Sequence, residues 1–174
     1  MPVSGPIINK RNSMEIDPRL FQLRASVKPE WIDEYGHLNM AYYVLICDHA
    51  TAAFWDAMNA PRMQDQRDGA EYAVVETHVN YLDEVREGDP VLVTTQVIAA
   101  DTKRYRLFHR MYHEDKGYLA ATNEVMSLGF NLNTRAMMEF VPEAYDRLQQ
   151  AVVEHADMEQ DRNLGRAIGQ ARKR

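Results

Sequence analysis

The chain holds a single cysteine, Cys47, and only four serines in 174 residues. One thiol excludes a disulfide framework and a zinc site built on several thiolates. None of the serines stands in a G-x-S-x-G elbow, which excludes the strained serine nucleophile of that motif. No apolar run reaches the roughly 18 residues of a membrane-spanning helix, so no membrane partner is expected. The first twenty residues lack the apolar stretch of a secretory signal, and the expected compartment is the cytoplasm. Positive charge is also short: 20 Lys and Arg face 26 Asp and Glu, a net charge of −6. That balance counts against a nucleic-acid partner, whose binding rests on neutralising phosphates. What is present, 45% hydrophobic and 26% charged residues without repeats or low-complexity tracts, describes one globular domain with tails.

The charge is unevenly spread. Residues 20–158 carry 12 basic and 22 acidic side chains, whereas 159–174 sum to +3 and 1–19 to +1. Within the acidic body, Lys103, Arg104, Arg106, Arg110 and Lys116 outweigh Glu114 and Asp115 by three. The boundaries follow: an N-terminal extension over 1–19, a domain over 20–148, and a C-terminal helix and basic tail over 149–174. The last stretch, from 159, reads as a frayed helical tail.

Phe21, Leu23, Ala25 and Val27 alternate with polar residues and predict a half-buried strand. Further strands are predicted over 71–82, from Val91 onward, over 104–114 and over 118–132. Gly88-Asp89-Pro90 breaks the chain before the third of the five, and Glu114-Asp115-Lys116-Gly117 makes a hairpin connection. Pro142 opens a helix over EAYDRLQQAVVEHADM. Between the first two strands, Met40–Ala60 offers only Asp48, His49 and Asp56 as chargeable groups. A helix apolar on nearly every side calls for burial. The expected architecture is therefore α+β: a five-stranded antiparallel sheet wrapped around one long apolar helix, plus a C-terminal helix.

Chemistry concentrates just before that helix, in Trp31-Ile32-Asp33-Glu34-Tyr35-Gly36-His37-Leu38-Asn39-Met40. Gly36 permits a sharp turn and Asn39 is a good helix cap. The unsatisfied N–H groups at Met40 and Ala41 then face the turn and favour developing negative charge. A carboxylate (Asp33), an imidazole (His37) and a helix N-terminus are parts suited to acyl transfer or hydrolysis. Asp33 and Asn39 also suffice simply to shape a loop. Other groupings fail on geometry. Cys47, Asp48 and His49 are adjacent on a helix and do not face one another. His109 and His113 lie about 13 Å apart on a strand, against zinc bonds of about 2 Å. Glu76 is a second carboxylate, read as structural.

Asp33-x-x-Gly36-His37-x-Asn39, followed by an apolar helix with Tyr42 or Tyr43, resembles the acyl-CoA thioesterases of the 4-hydroxybenzoyl-CoA thioesterase-like family, which have the hotdog fold. Tyr81-Leu82 before a charged turn and Gly88-Asp89-Pro90-Val91 extend the likeness over residues 20–148. The resemblance implies hydrolysis of an acyl-CoA thioester with Asp33 as nucleophile or general base. It places the Met40 N–H where the thioester oxygen binds, and gives His37 and Asn39 roles in positioning or polarisation. No metal and no cofactor beyond the CoA of the substrate is implied, and the assembly would be a homodimer or dimer of dimers. Lys103, Arg104 and Arg106 are then candidates for the CoA phosphates, or else an ordinary charged outer face. Trp31, Tyr35, Tyr42 and Tyr43 fit an aryl or quaternary ammonium acyl group, and WIDEYGHLNMAYY is most similar to the betainyl-CoA branch of that family. A non-catalytic acyl-CoA-binding or sensing module and a hotdog dehydratase are the alternatives. The dehydratase motif, a catalytic histidine on a strand and loop, is not found.

Overall fold

The computed structural model describes residues 14–170; the basic residues expected in the outermost tails, Lys10, Arg11 and Arg172–Arg174, lie outside the described residues. Strand β1 (Phe21–Ser26) is followed by helix α1 (Met40–Asn59) and by strands β2 (Ala70–Tyr81), β3 (Pro90–Ala100), β4 (Arg104–His113), β5 (Leu119–Asn131) and β6 (Ala136–Met137). Helix α2 (Pro142–Glu154) comes last. The five long strands form one antiparallel sheet in the order β1-β3-β4-β5-β2. The sequence did not signal β6, a two-residue strand paired with β5 across a tight turn at Arg135, so the sheet has six strands rather than five. Helix α2 starts inside the 20–148 span and stops before Met158, at Glu154; the ring of the next residue, His155, accepts the Val97 N–H (2.9 Å).

The sheet covers α1 on one side only, which corrects the expectation of burial all round. Tyr43, Ile46, Ala50, Phe54 and Met58 point into the sheet. Ala41, Asp48, His49, Ala52, Ala53 and Asp56 form an exposed stripe at helical spacing. Half of that stripe is alanine, which reads as apolar in composition but has little surface to bury. The C-terminal stretch is corrected as well: residues 159–170 run in turns, not helix, and lie against the outer face of the sheet. Asn163 is buried there, Asp161 pairs with Arg110 (3.4 Å), and the Gly165 N–H bonds to Glu124 (2.6 Å).

The core is two apolar clusters with a polar layer between them. One cluster joins Trp31, Leu38, Tyr43 and Ile46 to Val91, Val93 and Met111. The other joins Phe54, Trp55 and Met58 to Val97, Tyr105, Leu107 and the α2 residues Ala144 and Leu148. On α1, β3, β4 and β5 the residues between the two are Thr51, Thr95, His109 and Asn123, all buried. Thr51 donates its hydroxyl proton to the Cys47 carbonyl (3.1 Å), so its oxygen accepts from Nε2–H of His109 (2.9 Å). The Thr95 hydroxyl then donates to Nδ1 of His109 (2.9 Å). Burial pushes the pKa of this imidazole down to about 3.

Candidate functional site

The loop before α1 closes on itself through local bonds. Ile32 and Leu38 form an antiparallel bridge, and the Asp33 N–H donates to the His37 carbonyl (2.9 Å). Oδ1 of Asp33 accepts the N–H groups of Tyr35 (2.9 Å) and His37 (3.1 Å). Gly36, at φ +83°, supplies the left-handed residue that the turn needs. The result is directional: Oδ1 holds the loop, while Oδ2 makes no hydrogen bond among the described residues.

Asn39 caps α1 as expected, its side chain accepting from the Ala41 N–H (3.0 Å). Its own N–H is held by the Trp31 carbonyl (2.9 Å). Among the described residues the Met40 N–H has no acceptor, and Met40 is exposed. The positive end of a 20-residue helix therefore opens beside Asp33.

Both features face one cavity of about 640 Å³, lined by Asp33, Tyr35, His37, Leu38, Met40, Tyr43, Tyr81, Leu82, Asp83 and Glu84. Of the expected site residues it gathers Asp33, His37, Met40, Tyr35 and Tyr43. Trp31 is not among the lining; it is 7% exposed, in the core, stacked on Tyr42 at 5.6 Å. Asn39 acts from behind, through the helix cap. Asp48 lies on the open stripe of α1. Glu76 lines a different cavity, with His78 and Arg106 on the outer face.

Sequence reading missed the far wall, Tyr81 to Glu84. These residues read as the end of a strand and the start of an acidic turn, and Tyr81-Leu82 before that turn counted only towards the family likeness, not as a wall of the site. Their backbone is pinned: Leu82 and Asp83 donate to the Ala120 carbonyl, Tyr43 Oη to the Asp83 carbonyl and Tyr118 Oη to the Glu84 carbonyl (2.6 Å). The Leu38 N–H donates to the Val85 carbonyl (2.8 Å), which ties this wall to the Asp33 loop. Glu84 meets His37 Nε2 at 2.9 Å. Tyr43 and Tyr81 pack edge to face at 5.3 Å, and burial pushes both hydroxyls up, so they are neutral phenols at neutral pH.

Arg104, Arg106 and Arg110 share the outer face of β4, as their alternation predicts. Each is already paired, with Asp101 (2.7 Å), Glu124 (3.5 Å) and Asp161 (3.4 Å), and Lys103 lies 3.7 Å from Glu139. The local excess of three positive charges is thus largely neutralised by carboxylates from other segments. Arg104 pairs with Leu128, and Tyr81 with Ala121, so strand geometry separates the basic corner from the cavity by roughly 23 Å along β5. Cys47 is buried and its thiol is pushed up to about 12 by that burial, while Asp48 and His49 point to solvent. They form no thiol-hydrolase grouping.

Known proteins resemble this chain in sequence and fold. The sequence profile of the thioesterase-like superfamily matches residues 27–152. A betainyl-CoA thioesterase of Pseudomonas aeruginosa is 32% identical over 143 residues, 82% of this chain and 90% of its own length. An L-carnitine dehydrogenase/betainyl-CoA thioesterase of Ruegeria pomeroyi is 28% identical across 95% of this chain, which spans only 36% of that longer protein. A Staphylococcus aureus protein solved in complex with CoA superposes with a TM-score of 0.77 at 30% identity, over 87% of this chain and 96% of its own. With a helix wrapped on one side by a curled antiparallel sheet and a family match over most of its length, the chain belongs to the thioesterase-like superfamily and is a hotdog-fold thioesterase.

Proposed function

We propose that the protein hydrolyses an acyl-CoA thioester whose acyl group is small and cationic, of the betainyl type. The observation that carries this reading is the cavity shared by the free oxygen of Asp33 and the open N-terminus of α1. With the thioester oxygen against the Met40 N–H, the helix end stabilises the charge that develops on it. Two routes then fit the same geometry. Oδ2 of Asp33 attacks the carbonyl carbon, the C–S bond breaks, CoA leaves as thiolate, and water cleaves the resulting anhydride. Alternatively, Oδ2 takes a proton from water as that water attacks. Neither route calls for a metal or any cofactor beyond the CoA of the substrate.

The named activity of the Pseudomonas aeruginosa relative supports the betainyl assignment, and so do the tyrosines of the cavity. Strand β2, an edge of the sheet with Val74 and Val75 exposed, is the surface through which two copies would pair as a homodimer, or as half of a dimer of dimers. Antiparallel pairing there sets the partner's basic corner beside this cavity. Lys103, Arg104 and Arg106 then hold CoA phosphates by exchanging carboxylate partners for phosphate. A thiol-release screen over betainyl, short-chain, aryl and long-chain CoA thioesters tests the reading. Fastest release is expected from betainyl-CoA; saturable binding with no free thiol from any thioester would instead favour a sensing module.

A further inference from the structure

We propose that Glu84 is the specificity-determining counter-ion of the cavity, the group that makes it prefer a cationic acyl group over an uncharged one of the same shape. The inference rests on the thioesterase reading and adds which residue recognises the acyl charge.

Three carboxylates line the cavity, Asp33, Asp83 and Glu84, and neither Lys nor Arg does. The lining is negative whether His37 is neutral or protonated. The three are not equivalent. Oδ1 of Asp33 is held by two loop N–H groups, and its other oxygen is the one the proposed reaction uses. Asp83 turns back on its own chain, Oδ1 accepting the Glu84 N–H (2.8 Å). Asp83 and Glu84 are both exposed, but among the described residues the carboxylate of Glu84, 64% exposed over a backbone fixed by Tyr118, accepts from no backbone N–H. Its one side-chain partner is the His37 imidazole. On the outer face, by contrast, Glu124, Asp161 and Asp101 are each neutralised by an arginine.

Tyr43 and Tyr81 give the same cavity aromatic surface. A quaternary ammonium cannot donate a hydrogen bond, so it is recognised by charge and by ring faces. Glu84 supplies the charge and the tyrosines the faces. An uncharged group of equal volume keeps the apolar contact but strips water from the Glu84 carboxylate without pairing it, which is costly.

The test compares betainyl-CoA with 3,3-dimethylbutyryl-CoA, in which carbon replaces the ammonium nitrogen at constant shape. The α-ammonium also activates the thioester carbonyl inductively and so raises kcat on its own. The comparison is therefore made in KM, where the wild-type protein is expected to favour betainyl-CoA by about tenfold or more. In Glu84→Gln, which keeps an acceptor for His37, that ratio is expected to collapse towards one. A wild-type ratio near one overturns the inference without any variant, and so does a ratio that survives in Glu84→Gln. If both esters resist hydrolysis while another acyl-CoA is cleaved, the counter-ion assignment falls and the thioesterase reading stands. If no thioester is cleaved at all, the thioesterase reading itself falls.

Discussion

His109 and His37 mark two polar regions built in opposite ways. Around His109 every side chain in the chain of contacts has a partner: Thr51 is bonded to the helix backbone and to Nε2, and Thr95 closes Nδ1. The layer is sealed, and it joins two apolar clusters without opening to solvent. Around His37 it is the backbone that is pinned, through the Asx turn of Asp33, the Asn39 cap and the wall at 82–85. The side-chain oxygen of Asp33, the Met40 N–H and the Glu84 carboxylate are left facing a cavity. A satisfied polar group inside a protein is architecture; reactive groups held open on a rigid backbone are equipment for chemistry.

The largest effect that would break this contrast is on stability in acid. His109 has a folded pKa of about 3 against about 6.5 unfolded, so its neutral form is favoured in the fold. Above pH 6.5 both states are neutral and the full stability is present. As pH falls from 6.5 towards 3, the unfolded chain takes up a proton that the folded chain refuses, and stability drops by about 1.4 kcal/mol per pH unit. Denaturant melts at pH 7 and pH 5 should therefore show a loss of about 2 kcal/mol from this group. In His109→Gln that part of the slope should vanish; an unchanged slope would mean that the layer is not sealed.

A smaller effect sharpens the other side. Asn39→Ala removes the cap and is expected to cost about 1 kcal/mol in denaturant unfolding. Its loss of thiol release should exceed what that small destabilisation explains, because the Met40 N–H loses its fixed direction. Equal, minor effects on both would place Asn39 among purely structural caps. The smallest expected signal is that of Cys47. A thiol-labelling reagent should leave it unmodified in the folded protein and label it only on unfolding, and labelling at the rate of a free thiol would contradict its burial.

How much could be read from the chain follows the range of the contacts. The Asp33 turn and the Asn39 cap are made by residues within four positions of each other, so the motif and its geometry were legible together. Strand alternation placed Arg104, Arg106 and Arg110 on one face for the same reason. The carboxylates that neutralise two of them, Glu124 and Asp161, come from β5 and the C-terminal turns, and no local pattern announces them. Glu84 reaches His37 only because β2 returns beside α1. Trp31 looked like a ligand-binding ring because it stands next to Asp33, but its indole packs against Tyr42 on the core side of the loop. The open stripe of α1 escaped notice because alanine counts as apolar wherever it sits.

The most direct test of the account is thiol release by Asp33→Asn beside its thermal unfolding. Asparagine keeps the oxygen that accepts the Tyr35 and His37 N–H groups, so the loop and the melting temperature should be preserved. It removes the open carboxylate oxygen, and turnover of betainyl-CoA should fall on the order of 10³-fold. Turnover close to that of the wild type, in a variant with an unchanged melting temperature, would show that Asp33 only shapes the loop and that the chemistry lies elsewhere.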